Sequence, residues 1–70
     1  MQRPPVASSD IRAIGDDGPT SVLEVEFNAG GVYQYFNVPV HVHSNFMAAA
    51  SHGQFLNDYI RYNYQYQRVS

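Results

Sequence analysis

Residues 22–27 alternate strictly, with Leu23, Val25 and Phe27 apolar and Glu24 and Glu26 between them. That period of two predicts a strand with one buried face. Asn28-Ala29-Gly30 then fits a hairpin loop of three residues, with Gly30 in the left-handed position and Phe27 closing against Gly31. Residues 32–38 return as the second arm. This loop sets Val25 opposite Tyr33, Leu23 opposite Tyr35 and Glu24 opposite Gln34. Apolar then meets apolar; a loop shorter by one would set the tyrosines among the glutamates.

Upstream, Ile11, Ala13 and Ile14 make a short β-like run whose spacing breaks alternation, which predicts a bulge. Asp16-Asp17-Gly18-Pro19 reads as a turn. Downstream, Pro39 opens a helix carrying Val42, His43, Phe46 and Met47 at spacings of four. Ser51 with Gln54 forms a capping-box pattern ahead of Phe55, Leu56, Tyr59 and Ile60, a second helix. In the tail, Tyr62, Tyr64 and Tyr66 alternate with polar residues, as an extended segment or a further strand.

The expected fold is therefore α+β: a three-stranded antiparallel meander followed by two helices packed on one face. Residues 1–7, with two prolines, read as an extended arm, and 8–70 as a single domain. The expected core is Ile11, Ile14, Leu23, Val25, Phe27 and Tyr33, with Tyr35, Val42, Phe46, Phe55, Tyr59 and Ile60.

At 70 residues one such core contributes only about 3–5 kcal/mol. No cysteine is present, so neither disulfides nor thiolate metal sites support it, which favours a homo-oligomer. No apolar run has the length of a membrane span, and the first residues lack the apolar stretch of a signal peptide. The expected location is cytoplasmic.

Charge narrows the partner. The net charge is −2, with four arginines (Arg3, Arg12, Arg61, Arg68) and no lysine. Long nucleic acids are gripped by many cations that release counterions. Four arginines neutralise little backbone, so a compact phosphate ligand fits better than a polyanion.

The ordered segments Ser8-Ser9-Asp10-Ile11, Ile14-Gly15 and Leu23-Glu24-Val25-Glu26-Phe27 resemble the KTSC domain family. So do Gly30-Gly31-Val32-Tyr33-Gln34-Tyr35-Phe36, Val38-Pro39, Ser51-His52-Gly53 with Phe55, and Ile60-Arg61 with Tyr64. The pair Tyr33 and Tyr35 is the family's signature. The resemblance implies a stand-alone bacterial or phage protein or an appended domain. It suggests RNA binding through the association with lysyl-tRNA synthetases, and it brings no catalytic residues.

Candidate ligand-binding residues fall in three groups. Tyr33 and Tyr35 belong to the core edge or to a base-stacking platform. Arg61, Tyr64 and Arg68, with Tyr62 and Tyr66, are types enriched in binding hot spots, or else pack as an ordered tail. Ser51, His52 and Gly53 begin a helix and form an anion site or a simple cap; Ser8, Ser9 and Arg12 could add hydroxyls and a charge. His41 and His43 point apart on a helix, so no metal is expected. Glu24 and Glu26 are read as a solvated surface pair. No nucleophile, base and orienting group can be named together, so neither catalysis nor a cofactor is expected. The leading reading is a nucleotide-binding module for a small nucleotide or short RNA. The competing reading is a protein-interaction or structural module using the tail and sheet face.

Overall fold

In a computed structural model describing residues 2–70, strand β2 (Val22–Phe27) and strand β3 (Val32–Tyr35) pair in the expected register. Leu23 faces Tyr35, Glu24 faces Gln34 and Val25 faces Tyr33. The Phe27 N–H donates to Gly31 O at 3.1 Å and the Gly30 N–H to Phe27 O at 3.0 Å, closing the loop. Gly30 and Gly31 both take positive φ, 103° and 93°, backbone that other residues adopt only with strain. Strand β1 (Ile11–Asp17) lies on the other side of β2, with a register break between Ile11 and Ala13. This bulge at Arg12 turns both Ile11 and Ile14 inward, where neither retains exposure.

The sheet has four strands, not three. Tyr66–Arg68 forms β4, antiparallel to β3, giving the order β1-β2-β3-β4. The tail's alternation sets Tyr66 opposite Tyr35 and Arg68 opposite Tyr33. It satisfies the backbone edge of β3 that a three-stranded meander would leave open.

Helix α1 (Val40–Ala48) starts after Pro39, whose carbonyl accepts the Val42 and His43 N–H groups. Helix α2 (His52–Phe55) is capped by Ser51, its Oγ accepting the Gln54 N–H at 3.2 Å. It continues as a π-helical segment, Leu56–Ile60, closed by the Arg61 N–H on Leu56 O at 2.8 Å. Both helices cover the same sheet face. Ile11, Ile14, Leu23, Val25, Tyr35, Phe46 and Ile60 form the center of the core, joined by Val38 and Leu56, which were not expected there. Phe27, Tyr33, Val42 and Phe55 pack at its margin. Tyr59 is the exception, 58% exposed. The wider π turn carries it off the buried stripe, and its ring lies against Phe55 at 4.8 Å between centroids.

The opposite face is not the solvated surface expected for the glutamates. The arm adds to the edge of β1: Ile14 N–H donates to Pro4 O and Val6 N–H to Arg12 O, each at 3.1 Å. Arg3 then reaches β2, donating to Glu24 and, at 3.3 Å, to Glu26. Gln34 donates to the other Glu24 oxygen at 2.9 Å, and Glu24 is only 6% exposed. A buried carboxylate persists because each oxygen has a donor. Burial works to raise the Glu24 pKa, but the Gln34 and Arg3 hydrogen bonds and the Arg3 charge outweigh it and hold it below the ordinary value.

Two outcomes follow. Ile60→Ala removes a fully buried side chain and should cost about 2–5 kcal/mol, comparable with the whole stability, so urea unfolding should start near zero denaturant. Glu24 titrates lower folded than unfolded, so its contribution is complete above the unfolded carboxylate pKa and is lost as pH falls through the folded one. Stability measured by urea unfolding should therefore drop on acidification below about pH 5, and Arg3→Ala, itself costing about 1–2 kcal/mol at neutral pH, should flatten that drop.

Candidate functional site

Because β-strand side chains alternate, Tyr33 and Tyr35 share the helix-covered face, and Tyr66 joins them from β4. The Tyr66 ring lies 5.9 Å from Tyr33 and 5.6 Å from Tyr35, centroid to centroid. Phe27 meets Tyr33 edge-on at 5.5 Å. The helices do not cover this end of the sheet fully. Between the rings and the α2–π segment runs a groove of about 420 Å³, within the ~300–1,000 Å³ of small-molecule sites.

Its floor is aromatic and its two ends are charged. Tyr35 is 3% exposed, continuous with the core; Tyr66 is 56% exposed at the rim. Burial pushes the Tyr35 phenol above its ordinary pKa, with the Arg61 charge pulling the other way. The phenol therefore stays protonated and able to donate at neutral pH. Gly53, Leu56, Asn57 and Arg61 form the helical wall. In an α-helix of 3.6 residues per turn, Arg61 would point about 140° away from Leu56. The π turn returns it over Leu56, onto the groove. Arg61 donates to Asn57 Oδ1 at 3.1 Å and pairs with no carboxylate among the described residues.

Asp10 lines the other end. Its carboxylate lies against Gly53, where an added Cβ would sit 2.9 Å from Oδ2. It thus occupies the space in front of the Ser51-His52-Gly53 turn, where an approaching anion would meet a like charge.

Of the residues proposed from sequence, the groove brings together Tyr33, Tyr35, Gly53, Arg61 and, from the tail, Tyr66. Ser8 and Ser9 lie behind its Asp10 end: Ser8 Oγ accepts the Asp10 and Ile11 N–H groups at 3.2 Å, and the Ser8 and Ser9 carbonyls accept Asn28 Nδ2. Ser51 is a cap. His52 turns toward α1, its Nε2 3.3 Å from Met47 O and its ring beside Phe46. Arg12 is exposed on the bulge. Arg68 stands over the Tyr33 ring at 5.8 Å and donates to Ser70 O. Tyr64 packs on the core and borders a second groove with His41, Phe55 and Tyr59. His43 Nδ1 approaches Asp16 Oδ2 at 3.9 Å. No three metal-ligating side chains cluster among the described residues.

Asp10 and Asn57 were missed as groove residues. Tyr66 reaches the tyrosine face because the tail pairs with β3, a placement the alternation with Gln65 and Gln67 left open between a strand and an extended segment. Asp10 and Asn57 had no local signal, because tertiary packing alone brings them to the groove.

Comparison with known proteins agrees with this fold. A KTSC domain protein of known crystal structure from Yersinia pestis superimposes with a TM-score of 0.96 at 40% identity, covering 99% of this chain and 97% of that one. An uncharacterized protein of Stutzerimonas stutzeri is 36% identical over 70 residues, 99% of each chain. A lysine–tRNA ligase of Nostoc sp. is 34% identical over 62 residues, which are 89% of this chain and 11% of the ligase. Residues 7–69 match the KTSC domain as a whole, and the chain belongs to the KTSC domain family.

Proposed function

We propose that this domain is a non-catalytic binding module whose groove takes a nucleotide-type ligand, a free small nucleotide or the end of a short RNA. One observation carries the reading: contiguous tyrosine rings beside an arginine with no carboxylate partner among the described residues, in a groove the size of a small-molecule site. Base stacking on aromatic rings contributes about 1–3 kcal/mol per base. A guanidinium adds a planar fork for phosphate. One such fork suits a compact ligand rather than a long backbone. The second groove offers Phe55, Tyr59 and Tyr64 but neither an arginine nor a carboxylate, so it lacks the phosphate partner. The lining of the first contains no His, Ser or Cys among the described residues, which supports binding without chemistry.

In this reading the domain works as a cytoplasmic homo-oligomer that sequesters the nucleotide. Tyr62 at 84% exposure, in the turn before β4, and Val69 at 42%, just after it, supply apolar surface for self-association. The same residues favor a second reading, a protein-interaction module. No helix is long and apolar enough to cross a membrane among the described residues.

Titration calorimetry with the four nucleoside monophosphates tests the primary reading. At least one should bind, more weakly as salt rises, and Arg61→Ala should weaken it tenfold or more, a charged hydrogen bond being worth about 1.5–3 kcal/mol. The melting curve should change little, because Arg61 is exposed. Absence of binding up to millimolar concentrations would leave the protein-interaction reading. Native mass spectrometry should show a multiple of the 7.9 kDa chain; a monomer throughout the micromolar range removes the oligomer.

A further inference from the structure

The Asp10 end of the groove is built before any ligand arrives. The Asp10 N–H donates to Ser8 Oγ at 3.2 Å, and its carbonyl accepts the Asn28 N–H at 2.9 Å. Asn28 Nδ2 holds the preceding turn through Ser9 O at 3.0 Å. The backbone is thus clamped from both sides, and Gly53 leaves room for the carboxylate beside the helix. That carboxylate accepts no hydrogen bond and meets no cation among the described residues. Neither carboxylate oxygen has a partner among the described residues, and with Oδ2 resting beside Gly53 the group faces the groove it lines. Glu24 differs: both its oxygens are already engaged.

We infer that Asp10 selects the base, its carboxylate accepting two adjacent N–H donors, which among the common nucleobases are the N1–H and 2-amino groups of guanine. The inference rests on the nucleotide reading. An ionized carboxylate accepts and never donates, so it demands donors side by side. Adenine and cytosine each place an acceptor beside the amino group, and uracil flanks its N–H with two carbonyls. Against those edges the carboxylate meets lone pairs. The spacing is consistent: Gly53, beside Asp10, and Arg61 are eight residues apart in one helical segment, roughly 10–12 Å along its axis. The distance from a purine's pairing edge to its 5′-phosphate is of that order. Asp10 and Arg61 thus orient the ligand, base at one end and phosphate at the other, over the tyrosines.

The probes are GMP, IMP and AMP, titrated into the full chain at low salt. GMP should bind at least tenfold more tightly than AMP, with IMP, which keeps N1–H but lacks the 2-amino group, between them. Asp10→Asn should remove the preference by weakening GMP, whereas Arg61→Ala should weaken all three alike. Gly53→Ala, which displaces the carboxylate without removing its charge, should also shrink the GMP-to-AMP ratio. Melting curves of each variant separate this from a purely structural role, which would lower the melting temperature and leave the ratio intact. Equal binding of GMP and AMP, or a ratio unmoved by Asp10→Asn, overturns the inference while leaving the nucleotide reading in place. Failure of all three to bind, with CMP and UMP failing too, overturns the nucleotide reading itself.

Discussion

The register of one hairpin determines most of this molecule. Because side chains alternate along β2 and β3, a slip of one residue would move Tyr33 and Tyr35 to the outer face and turn Gln34 toward the core. The Arg3–Glu24–Gln34 contacts would break in the same step. The loop prevents the slip: Phe27 closes on Gly31, and the two glycines take backbone angles that other side chains resist. β4 then reads the same register, since Tyr66 opposes Tyr35 and completes the aromatic floor. Core, outer ion pairs and groove all inherit their placement from a turn of a few residues.

That dependence explains what could be read from the chain. Alternation in 22–27 and the residues of the turn are local, so the pairing of Val25 with Tyr33 follows from sequence alone. So does the Ser51 cap, and so does the bulge that turns Ile11 and Ile14 to one side. The features that were not legible involve partners far along the chain. Glu24 looks like a surface residue until Arg3 arrives from 21 positions away. Nothing local marks Asp10 as a groove residue until α2 packs against it. The π turn has no local signature in Leu56–Ile60, yet it moves Tyr59 outward and Arg61 over the groove. Tyr33, Tyr35 and Arg61 were recognizable as binding types, but the geometry that unites them comes from strand β4 and that turn.

The two sheet faces treat charge differently. On the outer face, Arg3 pairs with both Glu24 and Glu26, and Gln34 completes the donors around Glu24. On the inner face, Asp10 and Arg61 stand at opposite ends of a groove, each without a counter-charge among the described residues. Folding alone would favor pairing them, or replacing them with neutral side chains. An interaction between exposed charges adds little to stability in any case, typically under about 1 kcal/mol. The separation therefore costs the fold little and leaves both groups able to engage a ligand.

The same economy of size limits how such a site can be dissected. In a domain this small the floor of the groove is also the wall of the core: Tyr35 is 3% exposed, and Tyr33 packs on Phe27 while touching the Tyr66 ring. Truncating either tyrosine would open a cavity in a core with only a few kcal/mol to lose, so lost binding could not be told from lost structure. The rim residues are different. Asp10 and Arg61 line the groove yet are exposed. Stability resides in the rings and their register, whereas selectivity can reside in the two rim charges. That division lets a domain of this size retain one rigid floor while the identity of its ligand is set at the ends of the groove.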